Sequence, residues 1–352
     1  MSGRTQRGII TVVFLRGRLS IRTVLWLGNH YRRLLAVFLA LVGPRVSYRL
    51  TELGARLLYR LLSPLRTRCE AQCSVVLGGM ARNVDIPRIA ERSFINRVWN
   101  LTDLMLASRW LRADTYRRYG GRVPDPFLGQ LEAAQRRSQP VILLSAYYGS
   151  FDLLPVFLGY NGIRASVVYL PHGNAGFDEY RRRVRGQSGC EMVPIDNAAA
   201  RLSEVLGRGG TVALIADHHS LSRGMPVTFL GQPTKASRTV GLLAWRYSAD
   251  VVVAGIRRRG EGFRFHIVIS DVVRHGEWAG HDDAVGFVTK RYLGALESLI
   301  LDDPTQYLWG YARWGEAFAR IAAANLEQER RRPPRPASAP ARGVCDRQPQ
   351  SN

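Results

Sequence analysis

The chain has 352 residues, 46% of them hydrophobic, which is enough to bury the core of one large domain or two ordinary ones. Its 50 Lys and Arg residues outnumber its 28 Asp and Glu residues, so the net charge is +22, and only Lys235 and Lys290 are lysines. An excess of this size indicates an anionic partner: nucleic acid, an anionic membrane surface or a phosphorylated substrate. The pair Cys69 and Cys73 has no second pair downstream, so neither a zinc site nor any other metal is expected.

Residues 19–65 mix apolar residues with arginines. The apolar run 34–42 lies between two arginines and Pro44-Arg45, and it is shorter than the roughly 20 residues that a spanning helix needs. A basic, apolar-rich segment fits a helix that lies on an anionic bilayer. A pair of amphipathic helices packed on the protein fits as well, and the two interpretations are compatible. Residues 1–66 are therefore predicted to be a helical membrane-associating segment that does not span the bilayer.

Beyond this segment, helical and strand patterns alternate along the chain. Strands are predicted at 141–145, 165–170, 191–195, 211–216 and 250–256, with an antiparallel strand at 262–271. Helices are predicted at 85–111, 178–185, 198–206, 237–247 and 282–301. Short apolar strands separated by helices predict an α/β fold with a mostly parallel sheet covered by helices. The predicted organisation is a segment 1–66, an α/β domain 67–326 and a disordered Arg/Pro-rich tail 327–352.

Polar residues follow the predicted strands at their carboxyl ends, where ligands bind in parallel sheets. The first strand is followed by YYGSFD at 147–152, in which Asp152 lies among apolar neighbours. The fourth strand is followed by Asp217, His218 and His219, and then by a glycine-containing block at 224–233. An acid suits a helix N-terminus in any case, but its setting raises the question of a chemical role.

These motifs resemble the lipid A biosynthesis acyltransferases, the lauroyl and myristoyl transferases of the lysophospholipid acyltransferase superfamily. In that family a strand is followed by His-Phe-Gly-Asn-Trp-Glu, with which YYGSFD aligns position by position. The family's Asp-Gln block, Val-x-Phe-x-Gly-x-Pro segment and following helix resemble residues 216–218, 224–233 and 234–244. Its Arg before a Gly-x-x-hydrophobic strand resembles Arg185, and its late Tyr-x-Trp-x-His-x-Arg segment resembles YLWGYAR at 307–313. The resemblance runs from about residue 50 to residue 314.

The resemblance implies a catalytic arrangement that this sequence departs from. In the family, the motif His takes the proton of an acceptor hydroxyl, and the acid five positions later orients that His. Here Asp152 keeps the acid, but Tyr147 stands at the His position, and the His of the late segment is Tyr311. A phenol of pKa about 10 is a poor base at neutral pH, although it can donate a hydrogen bond.

Three explanations remain open. In the first, another histidine is the base: His172, His218 and His219 all follow predicted strands, although His172 in Pro-His-Gly fits a turn better than a base. Alternatively, catalysis is lost and the fold binds a lipid or an acyl donor without transfer. In the third explanation Tyr147 and Asp152 work differently, for instance with Tyr147 as an oxyanion donor. Asp152, Tyr147, His218 and His219 are accordingly the candidate catalytic residues.

The candidate substrate-binding residues lie in the same loops. Four arginines at 181–183 and 185 share one predicted helix, and the resemblance together with the guanidinium fork favours Arg185 for a phosphate or donor contact. The three arginines at 257–259 are expected to be exposed charge. The remaining candidate binding residues are Gly149, Ser150, Asp217, Arg223, Gly224, Phe229, Gly231 and Pro233.

The predicted function is a membrane-associated acyltransferase. The resemblance implies transfer of a fatty acyl chain from an acyl-carrier protein or coenzyme A thioester, as co-substrate without a cofactor, to a hydroxyl of a glycolipid or lysophospholipid. The anionic membrane surface, the lipid acceptor and the acyl donor are the predicted partners. Nucleic acid is disfavoured, because no recognised binding motif appears and the cations are spread along the chain. The predicted location is the cytoplasmic face of the bacterial inner membrane, peripheral or monotopic.

Overall fold

The computed structural model describes residues 21–79, 84–125, 127–220 and 224–331. The helices are α1 Ile21–Leu61, α2 Ser63–Leu77, α3 Ile86–Trp110, α4 Phe127–Arg136, α5 Leu154–Tyr160, α6 Ala175–Arg185, α7 Ala198–Gly207, α8 Thr239–Tyr247, α9 His275–Trp278, α10 Ala284–Asp302 and α11 Glu316–Arg331. The strands are β1 Val141–Ser145, β2 Ala165–Tyr169, β3 Glu191–Pro194, β4 Thr211–Ile215, β5 Met225–Phe229, β6 Gln232–Ala236, β7 Asp250–Arg258 and β8 Phe265–Val273.

Six strands form one mixed sheet in the order β3-β2-β4-β1-β7-β8. The strands β3, β2, β4, β1 and β7 run parallel to one another, and β8 pairs antiparallel with β7 at one edge. Every residue of β1 is buried, as expected of a central parallel strand whose two faces both lie under helices. The predicted α/β fold with a mostly parallel, helix-covered sheet is confirmed, and four of the five predicted parallel strands end within one residue of the observed strand.

The segment after β4 differs from its prediction. Residues 234–236 belong to a strand rather than to a helix, because β5 and β6 form a separate antiparallel hairpin. Leu230 and Gly231, with φ of 50° and 72°, make its two-residue turn, and both angles lie where such hairpin turns need them. Helix α8 begins only at Thr239, three residues after the hairpin.

Helix α1 packs one face on the protein and leaves the other exposed. Within α1 two helices meet at a kink at Gly43, where φ is 81° and the backbone is not helical, directly before Pro44. Tyr48, Ala55 and Tyr59 are buried. The exposed large apolar residues between 34 and 62 form the apolar stripe: Leu34, Val37, Phe38, Leu41, Val46, Leu50, Leu53, Leu57, Leu58, Leu61 and Leu62. By length and composition alone, Leu34–Leu61 could cross a membrane.

Two predicted boundaries need correction. The boundary at residue 66 falls inside α2, and the buried residues of α1 belong to the same core as the sheet. The predicted tail begins too early, because α11 continues to Arg331. Its remainder, 332–352, and the first twenty residues of the predicted membrane segment lie outside the described residues.

A buried ion pair connects α1, α3, β7 and the turn after β1. Arg258 pairs with Asp103, and both side chains are essentially inaccessible to water. The Asp103 carboxylate also accepts the Tyr48 hydroxyl and, at 2.7 Å, the Ser150 hydroxyl. Arg258 donates in addition to the Asn96 amide oxygen at 2.5 Å. The expectation that all of 257–259 is exposed charge is wrong for Arg258, because its guanidinium is needed to neutralise a carboxylate inside the protein.

We expect Arg258→Met to lower the free energy of unfolding by about 3–5 kcal/mol, because it leaves the Asp103 carboxylate buried without its cation. The double variant Asp103→Leu, Arg258→Met should recover a large part of that loss, since neither charge then remains. Arg259→Met is the matched control; its exposed side chain predicts a change within about 0.5 kcal/mol. Urea unfolding measures all three. A loss for Arg258→Met no larger than that of the control would contradict the role assigned to the pair.

Candidate active site

The turn after β1 is held against the neighbouring strand and the late segment 307–313. Gly149 has φ of +56°, its N–H donates to the carbonyl of Gln306 at 2.9 Å, and the next N–H, of Ser150, donates to the carbonyl of Ile256 at 3.0 Å. A Cβ at Gly149 would lie 1.9 Å from the Ile256 carbonyl oxygen, so only glycine fits here. Gly149 and Ser150 therefore shape the turn, and the Ser150 hydroxyl is bonded to Asp103 beneath it.

Asp152 lies in a single turn of 3₁₀ helix that follows, and it is 6% exposed. One carboxylate oxygen forms an ion pair with Arg185 and lies 3.5 Å from Nη2 of Arg181. The other oxygen accepts the amide of Asn100 at 2.9 Å. Asp152 is therefore more than a helix-start acid, because its carboxylate connects α3 and α6 to the turn after β1.

The Asp152 cluster, which we define as Asp152, Arg181 and Arg185, carries a net charge of +1. Burial lowers the pKa of the Arg185 guanidinium to about 10, which leaves it charged at neutral pH. Its Nε is buried and has no hydrogen-bond partner within the described residues. Arg185 is thus committed to Asp152 through one nitrogen and keeps a second donor for another group. Such a cluster favours a negative charge beside it.

Tyr147, His218 and Tyr311 form an aromatic cluster at the carboxyl ends of β1 and β4. The Tyr147 ring lies 5.2 Å from the His218 ring and 5.2 Å from the Tyr311 ring, edge to face in both cases. Nδ1 of His218 lies 3.1 Å from the Tyr311 hydroxyl oxygen. The late segment reaches this place because the N–H of Leu308 donates to the Tyr147 carbonyl at 3.0 Å. A histidine therefore contacts both tyrosines that stand at the family's histidine positions.

Protonation in this aromatic cluster follows from burial and nearby charges. Burial, then the Asp217 and Tyr311 oxygens, raises the pKa of the Tyr147 phenol, so Tyr147 remains a hydrogen-bond donor at neutral pH. Burial lowers the pKa of His218 below its usual 6.5; Asp217 opposes that shift and the Arg313 guanidinium adds to it. His218 is accordingly neutral at pH 7, the form that can accept a proton.

Asp217 and Arg313 lie deeper, behind His218. Asp217 is fully buried and accepts the Tyr307 hydroxyl at 2.9 Å, while its second oxygen has no partner among the described residues. The Arg313 guanidinium is 1% exposed and lies 4.5 Å from the centre of the Phe229 ring. The Phe229 ring therefore packs against this cation. Asp217 and Arg313 together place a negative and a positive charge near His218.

The other residues of the second block belong to the hairpin or adjoin it. Gly231 is in the exposed turn, Pro233 lies exposed in β6, and Gly224 precedes β5, where a Cβ would meet Lys235 Cβ at 2.8 Å. His219 contacts the hairpin through Nδ1, which lies 3.0 Å from the Thr234 hydroxyl. These residues therefore shape or contact the hairpin, and none of these contacts requires a substrate. Arg223 lies outside the described residues.

The family model for bacterial lipid A biosynthesis acyltransferases matches residues 15–316 of the chain. The chain belongs to this family. The match covers the sheet, the turn after β1 and the late segment, so it includes every described element that lines the site. A comparison with curated proteins gives no match. Family membership identifies the chain as an acyltransferase of the lipid A type in general, and the predicted resemblance is confirmed.

The resemblance pairs the acid Asp152 with a catalytic base, but the structure shows Asp152 bound to other groups. The resemblance implies a base at position 147 oriented by Asp152, whereas Asp152 is bound by Arg185, Arg181 and Asn100. The candidate base His218 belongs to a different strand end and contacts Tyr147 and Tyr311.

The sequence alone assigns no role to three residues of the site, Arg181, Tyr311 and Arg313. Arg181 lies on the same face of α6 as Arg185, four residues earlier, and that spacing was a usable signal. From the sequence, Tyr311 is recognisable only as a substituted histidine and Arg313 only as the end of the motif at 307–313. Nothing in the sequence indicates that their side chains meet His218 or Phe229, because those contacts bring together residues more than 80 positions apart.

We expect Asp152→Asn to destabilise the protein by about 3 kcal/mol, because it leaves Arg185 buried without a counter-charge. The sequence alone predicts less than about 1 kcal/mol, since Asn also caps helices. Thermal or urea unfolding of the variant decides between the two values. Asp178→Asn, at the half-buried first turn of the same α6, is the comparison variant, and Asp152→Asn, Arg185→Met should be more stable than Asp152→Asn alone. A cost of under 1 kcal/mol would contradict a stabilising ion pair.

Proposed function

We propose that the protein transfers an acyl chain from a thioester to a lipid hydroxyl with His218 as the general base. The observation that carries the proposal is the aromatic cluster, in which His218 contacts Tyr147 and Tyr311. Both family histidine positions are tyrosines here, and His218, which contacts both of them, is neutral at pH 7. The lost base would thus be replaced from the neighbouring strand end.

The proposed step needs the tautomer of His218 that donates from Nδ1 to the Tyr311 hydroxyl, which is one of the two that their 3.1 Å contact allows. With its proton on Nδ1, donated to the Tyr311 oxygen, His218 keeps the lone pair of Nε2 for the acceptor hydroxyl. Nε2 takes the hydroxyl proton as the acceptor oxygen bonds to the thioester carbonyl carbon. The C–S bond then breaks, and the leaving thiolate takes the proton back from the imidazolium. One ester and one thiol are formed, so atoms and charge balance.

Negative charge develops on the carbonyl oxygen during this step, and the site offers donors for it. The Tyr147 hydroxyl stays protonated, its ring lies 5.2 Å from the His218 ring, and the arginines of the Asp152 cluster act on the same phenol. A preorganised donor of this kind is typically worth about 10²–10³ in rate. Tyr147 thus serves as oxyanion donor, and Asp152 holds the arginines in place rather than orienting a base.

The partners follow from the surface and the charge. The apolar stripe on α1, with the exposed Arg45, Arg49 and Arg60 beside it, suits a helix that lies on an anionic bilayer. The opposite face, with Tyr48, is packed inside the protein, which favours lying on the membrane over crossing it. We therefore propose a monotopic enzyme on the cytoplasmic face of the inner membrane. Its donor would be an acyl-carrier protein or coenzyme A thioester and its acceptor a glycolipid or lysophospholipid, without a cofactor.

The second candidate function is lipid or donor binding without transfer. It is favoured by the loss of both family histidines and by the commitment of Asp152 to Arg185. In that case His218 would only fill the space between Tyr147 and Tyr311.

His218→Ala should lower acyl transfer by about 10²–10⁴-fold, as removal of a general base typically does. His219→Ala is the matched control, because His219 bonds to Thr234 on the hairpin instead of the aromatic cluster; it should retain most of the activity. Tyr147→Phe should lose about 10²-fold, since it removes only the donor. Transfer is followed by mass spectrometry of the lipid product with each donor. Equal transfer by native protein and His218→Ala would exclude this base, and no transfer by native protein with either donor would favour the binding function.

The pH profile gives an independent test. The base form of His218 persists below pH 6.5 because burial and Arg313 lower its pKa, so kcat/KM should fall only on acidification below that value. Arg313→Met removes a lowering charge and should move this midpoint to higher pH, whereas Asp217→Asn should move it to lower pH. The measurement is kcat/KM between pH 5 and 8. A midpoint that neither variant moves would assign the ionisation to another group.

A further inference from the structure

A groove of about 470 Å³ lies between α1, α3 and α6. Its volume is within the range of about 300–1,000 Å³ typical of ligand sites. Ala36, Val37 and Ala40 of α1 supply an apolar wall, and Tyr180 of α6 faces it. This groove is outside the aromatic cluster and has no role in the proton transfer.

The other lining residues make the groove basic. Arg109 in the last turn of α3 and Arg183 in the last turn of α6 both line it and are both exposed. Glu179 is the acid of the lining, and Arg182 holds it in an ion pair at 2.6 Å. The guanidinium of Arg183 lies over the Tyr180 ring, 5.9 Å from its centre. Two cations at an apolar wall match a ligand with both an anionic group and hydrocarbon.

The groove is continuous with the apolar stripe of α1. Val37 belongs to both, and Leu34, Phe38 and Leu41 are exposed on adjacent turns. Helix α6 is shared as well: Tyr180 and Arg183 face the groove, while Arg181 reaches Asp152 on a neighbouring face. A lipid whose chains lie along the stripe would therefore place its headgroup against α6, the helix that also carries Arg181.

We propose that this groove binds the phosphate of a membrane lipid between Arg109 and Arg183, with the acyl chains of the lipid along α1. That the bound lipid is the acyl acceptor rests on the proposed function; the binding itself does not. The occupant is a phosphorylated lipid because the groove pairs two cations with an apolar wall, whereas a free anion would use only the cations.

The test is titration calorimetry of the full chain with dihexanoyl phosphatidate below its micelle concentration. Arg109→Gln, Arg183→Gln should weaken binding by about tenfold, since each exposed guanidinium–phosphate contact contributes modestly. Arg136→Gln, Arg208→Gln removes the same charge from exposed positions on α4 and just beyond α7, and binding should be unchanged. Dihexanoyl phosphatidylcholine, with the same chains and no net charge, should bind at least tenfold more weakly than phosphatidate.

Inorganic phosphate and a filled groove separate the remaining outcomes. Phosphate alone should compete only at a large excess; equal affinity for phosphate and phosphatidate would overturn the lipid in favour of a free anion. Val37→Trp should weaken phosphatidate binding while pelleting with anionic vesicles is maintained, because Trp suits a membrane interface. Equal weakening by the control double variant, or none by Arg109→Gln, Arg183→Gln, would refute the groove. His218→Ala should bind phosphatidate normally, so failure of transfer and failure of this proposal are distinguishable.

Discussion

The ion pair between Asp103 and Arg258 is the constraint on which the rest of the architecture depends. Two charges withdrawn from water are tolerable only together, so α3 and the end of β7 are held in one relative position. Through Tyr48 and Ser150 the same carboxylate fixes α1 and the turn that carries Asp152. A surface that would lie on a bilayer and a turn that would meet its lipid are thereby joined by one buried group.

A second buried ion pair, between Asp152 and Arg185, gives the acid of the family motif a structural role. Asp152 and Arg185 attach α6 to the turn, and Asn100 attaches the same carboxylate to α3. With both oxygens occupied, Asp152 is poorly placed to orient a base, and no histidine stands at position 147 to be oriented. The loss of the motif histidine and the commitment of the acid to arginine are consistent with each other. In the proposed function the base comes instead from the end of β4, where His218 is found.

The sequence predicts the parallel sheet well because its signal is local: runs such as Val141–Ser145 are apolar at every position, as strands buried on both faces must be. The sequence does not predict the hairpin β5–β6, because its residues alternate between exposed and half-buried positions. The resemblance to the family also assigns a helix from residue 234. The sequence prediction fails at Arg258 because nothing in a run of three arginines tells which one meets a carboxylate 155 residues away. The sequence predicts which strand ends form the site. It does not predict which side chains contact each other there, because tertiary packing decides those contacts.

Arg313 shows the electrostatic side of the same site. None of its three guanidinium nitrogens has a hydrogen-bond partner in the part of the chain that the structure describes, and the Phe229 ring supports its face. A buried cation so placed costs stability, because a ring replaces only part of its hydration. Asp217, equally buried and bonded through one oxygen only, carries the opposite charge nearby. The two act on His218 with opposite sign, so the basicity of that imidazole depends on the balance between them. Buried polar atoms without a partner need an explanation, and the position of these atoms around His218 is consistent with the proposed function.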